Sequence, residues 1–240
     1  MRVIMFDGIR QSNINLIINA FIKRFGNDYN CSTLDLMMEK NKLIDDLKLY
    51  ITKMDFKQYI PTNEIEDSNN IINKLLSIFS IFITSKKDRL AYCDTEYIIT
   101  NNYSPFTIKT ISLLLIIKEE LYKFHEDNKM IDRTMDKLFK AISQLETNNN
   151  IPTIHRIITL NCFNETTPIS IERGENDSLV NYNVRLENIR RTYILTNTLL
   201  DNKFLHLRCP EYMRTKIDIR RFITEITLDQ NINTLFSKGE

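Results

Sequence analysis

The amino-acid sequence predicts an α/β fold, a parallel β-sheet of about five strands flanked by helices on both faces. Three observations predict it. Short runs rich in apolar and β-branched residues, Val3–Phe6, Tyr97–Thr100 and Arg156–Leu160, alternate with longer segments whose apolar residues recur at helical spacing. Only 4 Gly and 5 Pro occur in 240 residues, which favours long helices over many tight turns. The stretch Met1 to Phe25 reads as a strand, a glycine turn and a helix.

Val3-Ile4-Met5-Phe6 has the length and composition of a buried strand, broken by Asp7-Gly8. From Ile14 the apolar residues Ile14, Ile17, Ile18, Phe21, Ile22 and Phe25 form one helical stripe. Asn27–Asn30 is a turn and Ser32–Met38 a second strand, its Leu and Met content leaving helix open. Leu43, Leu47, Tyr50 and Ile51 predict a short helix over Lys42–Lys53, followed by a loop through Pro61. Ser68 is the expected cap of a helix whose residues between Ile71 and Ile83 are apolar on nearly every face. Such a helix belongs in a core or against a partner chain.

Tyr97–Thr100 is the third strand, ending in Asn101-Asn102-Tyr103-Ser104-Pro105. Helices are expected over Thr107–Phe124 and Met130–Leu145, then a strand over Arg156–Leu160. A loop with Pro168 and Gly174 leads to a helix from about Leu179 to Leu199, a last strand over Lys203–Leu207 and a closing helix over Lys216–Leu228. With no repeat or linker in view, residues 1–240 are read as a single domain.

Composition narrows the function classes. A net charge of +1 gives no electrostatic footprint for nucleic acid or an anionic membrane. The longest apolar runs, around Leu75–Ile83 and Ile111–Ile117, are too short to span a bilayer, and the start Met1-Arg2 followed by a brief apolar run and Asp7 lacks the shape of a secretory signal. Cys31, Cys93, Cys162 and Cys209 are scattered singly, without metal-ligand spacing, so buried thiols in a reduced, cytoplasmic protein and no metal site are expected. His125, His155 and His206 fall on different elements and pair with no nucleophile by spacing. The abundance of Asn, Ile and Lys has the character of an AT-rich genome.

Strand, glycine turn and helix is also how a phosphate-binding loop begins. A Walker A loop is G-x-x-x-x-G-K-[ST], in which glycines admit phosphate to the backbone, Lys neutralises it and the hydroxyl holds Mg²⁺. Counted from Gly8, the second glycine is Asn13, the lysine is Ile14 and the hydroxyl is Asn15. The frame is kept and its chemistry is replaced.

With these elements in order, the chain resembles the thymidylate kinases, P-loop nucleoside monophosphate kinases. The family opens with F-E-G-x-[DE]-x-x-G-K-[ST], and Phe6-Asp7-Gly8-Ile9 stands in that place. The family's D-R-Y followed by Ser is matched by Asn101-Asn102-Tyr103-Ser104 in its last two residues. Pro152 precedes the strand at Arg156–Leu160, Asn161 lies about where an Asp would be, and Arg173-Gly174-Glu175-Asn176-Asp177 resembles the family's lid. Arg185 to Tyr193 resembles the helix that follows it. The resemblance implies a P-loop kinase-like fold, and a homodimer packed through helices such as Ile71–Ile83.

The departures lie where phosphoryl transfer needs charge. Ile14 removes the phosphate lysine, Asn15 the Mg²⁺-ligating hydroxyl, Asn13 the close backbone approach, and Asn102 an arginine that in the family contacts nucleotide phosphates. The expectation is a fold kept and a reaction lost, serving as a binding or structural partner. On that reading Asn13→Gly, Ile14→Lys and Asn15→Thr together raise ATP affinity. The rival is a divergent active kinase converting dTMP to dTDP with ATP and Mg²⁺, with Asp7, Arg10, Tyr103 and Arg173 surviving in its site. A nucleotide-sensing regulatory subunit is the third reading. Arg10, Lys40 and Arg173 are the cations that could supply charge from elsewhere, each weighed against a solvated surface residue.

Overall fold

The structure, a computed structural model, describes residues 1–8, 11–54, 64–124, 128–160, 188, 204–207, 223–224 and 235–236. It is an α/β fold built on a parallel sheet. The elements run β1 (Arg2–Gly8), α1 (Gln11–Phe25), β2 (Cys31–Leu34), α2 (Met37–Lys53), α3 (Glu64–Leu90), β3 (Tyr97–Thr100), α4 (Ile108–Tyr122), α5 (Asn128–Asn148), β4 (Ile154–Leu160) and β5 (Phe204–Leu207). The strands lie in the order β2-β3-β1-β4-β5 and every pairing is parallel.

That order fixes the layers. The chain steps from β1 past β3 to β2, then reverses, so right-handed crossovers place helices of the two directions on opposite faces. On one face, α1 packs over Ile4, Phe6, Ile99 and Ile158, with Ile223, Leu235 and Phe236 joining the same cluster. On the other, α2 to α5 cover Val3, Met5, Leu34 and Ile98. The alternation Val3/Met5 against Ile4/Phe6 is the period of two that a central strand buried on both faces requires.

Local chemistry sets the element ends. Gly26 follows α1 where a Cβ would come 2.6 Å from the Ile22 carbonyl oxygen, so a larger residue there requires the backbone to shift. Thr107 caps α4 in a capping box with Thr110. Asn30, Asn102 and Asn150 have φ of 48°, 58° and 53°, the left-handed region that Asn tolerates better than most side chains.

Two expectations change. The second strand ends at Leu34 rather than Met38, because the Asp35 carboxylate accepts from the Met37 N–H and turns the chain into α2 five residues before the expected start at Lys42. Ser68 is no cap but lies inside α3, which begins at Glu64 and runs through Lys86-Lys87-Asp88 to Leu90. Within this chain α3 buries one side. Its stripe Leu75, Phe79, Phe82, Ile83 and Leu90 is buried in the cluster shared with α2 and α5, while Ile81 on the outer face is 46% exposed. The third and last strands, and the helices at 108–122 and 128–148, stand where the periodicity put them to within a few residues. The helices expected over Leu179–Leu199 and Lys216–Leu228 lie outside the described residues, except that 188 and 223–224 are helical. Among the described residues no helix is long and apolar enough to cross a membrane.

Candidate functional site

In an open parallel sheet the ligand crevice forms beyond the carboxyl ends of the strands, where neighbouring strands send their connections in opposite directions. Here that point lies between β1, which leads towards β2, and β4, which leads towards β5. Asp7 and Gly8 end β1 at this edge, in register with Thr159 and Leu160 of β4. Topology therefore brings the start of the Walker-like frame to the sheet's natural binding edge.

Most of the Walker-like frame falls on the helix. Only residues 9 and 10 separate the end of β1 at Gly8 from the start of α1 at Gln11. Asn13, Ile14 and Asn15 all stand on the helix. Ile14, at the position of the phosphate lysine, is 4% exposed and belongs to the apolar cluster of Ile4, Phe6, Ile17, Phe21 and Ile158. Asn15, at the position of the Mg²⁺-ligating hydroxyl, accepts a 2.8 Å hydrogen bond from the Asn101 amide just after β3. Two neutral amides close on each other there, and neither carries the negative charge that favours a divalent cation.

The loop after β3 is tied down rather than open. Asn102 donates through its amide to the Met37 sulfur at 3.8 Å. Tyr103 is 1% exposed, and its hydroxyl donates to the Pro152 carbonyl at 2.7 Å. Burial, and then the charge of Glu146, push its phenol well above the ordinary tyrosine range. As a substrate contact Tyr103 has no surface to offer; it is a core residue with a satisfied hydroxyl.

Lys40 is likewise no solvated cation. It is buried, donates to the Ser104 carbonyl oxygen and sits 4.8 Å above the centre of the Phe82 ring. Lys86, which the sequence reading passed over, is fully buried on α3, paired with Glu146 of α5 and bonded to the Tyr103 carbonyl at 3.0 Å. Its signal was available. Lys86 continues the stripe Leu75, Phe79, Phe82, and a lysine at such a position must be buried and partnered. Asn101 carried no such signal, since its partner Asn15 is 86 residues away.

Arg10, Asn161, the lid-like Arg173–Asp177 and the segment Arg185–Tyr193 lie outside the described residues, apart from the backbone at 188, as do the side chains of Asp7 and Asn13. Among the described residues no group of His, Cys, Asp and Glu could hold a metal ion. Cys31 and Cys93 are free thiols, and burial followed by the charge of Glu96 pushes Cys31 up to about 12. No family model matches this chain, and no curated protein matches it either.

Proposed function

We propose that this chain is a thymidylate-kinase-like protein, built on a P-loop kinase-like variant of the α/β fold, in which the phosphoryl-transfer chemistry has degenerated and the fold serves as a binding or structural partner. The observation that carries this reading is Ile14. Its side chain, at the lysine position of the loop, is committed to the core beneath α1. A cation at that place could reach phosphate only by leaving the core. The Asn15–Asn101 hydrogen bond supports the same reading, because it occupies with neutral amides the place where the resemblance would put a Mg²⁺ ligand. Phosphoryl transfer depends on charge neutralisation and positioning, so losing the lysine and the metal ligand together leaves little for the fold to catalyse with.

The test is a thermal-shift titration of the purified protein with ATP plus Mg²⁺ and, separately, with dTMP. A ligand that binds only the folded state stabilises it by about 2.7 kcal/mol at a hundred times its dissociation constant, a shift readily seen. The expected result is no shift with ATP and Mg²⁺ at millimolar concentration. A clear shift with both ligands would overturn the proposal in favour of an active dTMP kinase. A shift with dTMP alone would assign the protein as a nucleotide sensor with a surviving acceptor pocket.

A further inference from the structure

Two buried ammonium groups converge on one loop. Lys86 Nζ donates to the Tyr103 carbonyl at 3.0 Å, lies 4.1 Å from the centre of the Tyr103 ring and pairs with Glu146. Lys40 Nζ donates to the carbonyl of the next residue, Ser104. Both ammonium groups stand over the same ring, Phe82, at 5.6 and 4.8 Å. Burying a lysine costs several kcal/mol, which only hydrogen bonds and counter-charge offset, and a carboxylate alone could answer the charge. Here both cations, from two different helices, are also spent on consecutive backbone carbonyls of residues 101–106.

The same loop carries Asn101, bonded to α1 through Asn15, and Asn102, held in the left-handed region against Met37 of α2. Its other ties are the Tyr103 hydroxyl on Pro152, the Thr100 hydroxyl on the Asn101 carbonyl at 2.8 Å, the Thr110 hydroxyl on the Pro105 carbonyl at 2.7 Å and the Phe106 N–H on Ser104 Oγ at 3.1 Å. Those ties are neutral, and charge-assisted bonds are roughly twice as strong. The two lysines are therefore the strongest fixtures of a loop that stands at the carboxyl edge of the sheet.

We propose that Lys86, seconded by Lys40, is a positioning residue that clamps loop 101–106 from the helix layer and so sets where Asn101 and Asn102 meet the sheet's binding edge. The clamp is independent of whether the edge takes a nucleotide or a protein. It differs from plain core stabilisation in being local: removing it frees the loop more than it weakens the domain.

Amide hydrogen exchange separates the two. In the wild-type protein the Phe106 amide, which donates to Ser104 Oγ inside the clamped loop, is expected to exchange as slowly as core amides of β1, and exchange as fast as at fraying ends would overturn the proposal outright. The Lys86→Met variant leaves Glu146 unpaired and weakens the whole fold, so the deciding variant is Lys86→Met with Glu146→Leu, in which no buried charge is stranded. Its urea midpoint is expected to stay near wild type while the Phe106 amide exchanges about tenfold faster relative to β1, the loss of one charge-assisted bond. Loop exchange that stays at the wild-type ratio to β1 in that variant would reduce Lys86 to a core stabiliser.

Discussion

Ile14→Lys is the substitution that the Walker frame invites and the packing forbids. Ile14 is buried in a cluster with Ile4, Phe6, Ile17, Ile18 and Phe21, none of which can face an ammonium with a carboxylate. Losing the isoleucine forfeits about 1.5–3 kcal/mol of apolar burial, part of it recovered by the lysine's aliphatic stem. Holding the amine neutral at pH 7 means giving up a proton bound with a pKa of about 10.4, at roughly 4–5 kcal/mol. The net cost is on the order of 4–7 kcal/mol against a typical total stability of about 5–15. For a chain of this size that lowers the melting temperature by roughly 10–25 °C. Urea unfolding followed by circular dichroism, with and without ATP and Mg²⁺, measures it, and Ile14→Met, expected to cost less than about 1.5 kcal/mol, is the control. An Ile14→Lys protein within about 1 kcal/mol of wild type that also gained Mg²⁺-dependent ATP affinity would refute the reasoning, because position 14 would then face a phosphate site. The triple restoration of Gly, Lys and Thr at 13–15 faces the same penalty, and because its lysine still enters the core cluster, the gain in ATP affinity that the loop frame suggests is not expected.

Other consequences can be checked with single variants. Asn101→Ala removes the bond to Asn15 and is expected to cost about 1–2 kcal/mol in urea unfolding; no measurable cost would show the amide pair to be idle. Asn102→Ala places a less tolerant residue at φ of 58° and should lose about 1 kcal/mol, whereas Asn102→Gly should fold at least as well as that alanine variant. Burial holds the Lys86 ammonium below the ordinary 10.5 in spite of the opposing pull of Glu146, so between its folded value and 10.5 the unfolded chain binds more protons and stability rises with pH. Wild type minus Lys86→Met isolates that rise from the opposite trend that Tyr103 contributes above pH 10, and a flat difference would show that Lys86 does not titrate on unfolding. With its thiol pushed up to about 12 by burial and Glu96, Cys31 should resist alkylation at pH 8 in the folded protein and react at the ordinary rate once unfolded.

Where sequence reading succeeded, one local signal sufficed. Tyr97-Ile98-Ile99-Thr100 is a β-branched run set between polar turns, and Thr107 is followed by an apolar helix, so the boundaries of β3 and α4 follow from neighbouring residues alone. The run from Ser32 to Met38 misled because its Leu and Met residues suit strand and helix alike, and the decision rests on one carboxylate, Asp35, bonding the Met37 N–H. Ile14 was legible twice over. It belongs to the stripe with Ile17, Ile18 and Phe21, and it also occupies the lysine position of the loop frame; the packing follows the stripe. What could not be read were pairings across the fold. Asn101 finds Asn15, and Lys86 finds Glu146 60 residues on, and no periodicity links the members of either pair. The buried position of Lys86 was visible in the stripe, but its partners were not.

The aromatic patch on the α1 face has a consequence for the order of folding. Phe236 stacks on Tyr29 at 3.8 Å between ring centres, and its carbonyl accepts from the Tyr97 hydroxyl, 139 residues earlier in the chain. Arg2 donates to that same hydroxyl. The first strand therefore shares an anchor with a residue synthesised more than two hundred positions later, and closing so long a loop brings its reward late. During synthesis the edge of the α1 cluster and the start of β3 must wait partly uncovered, with Phe25 and Tyr29 open to whatever else is in solution. A nascent chain of this kind spends its most aggregation-prone interval on the ribosome, and its yield in the cell should respond to chaperone supply more steeply than to the stability of the finished fold.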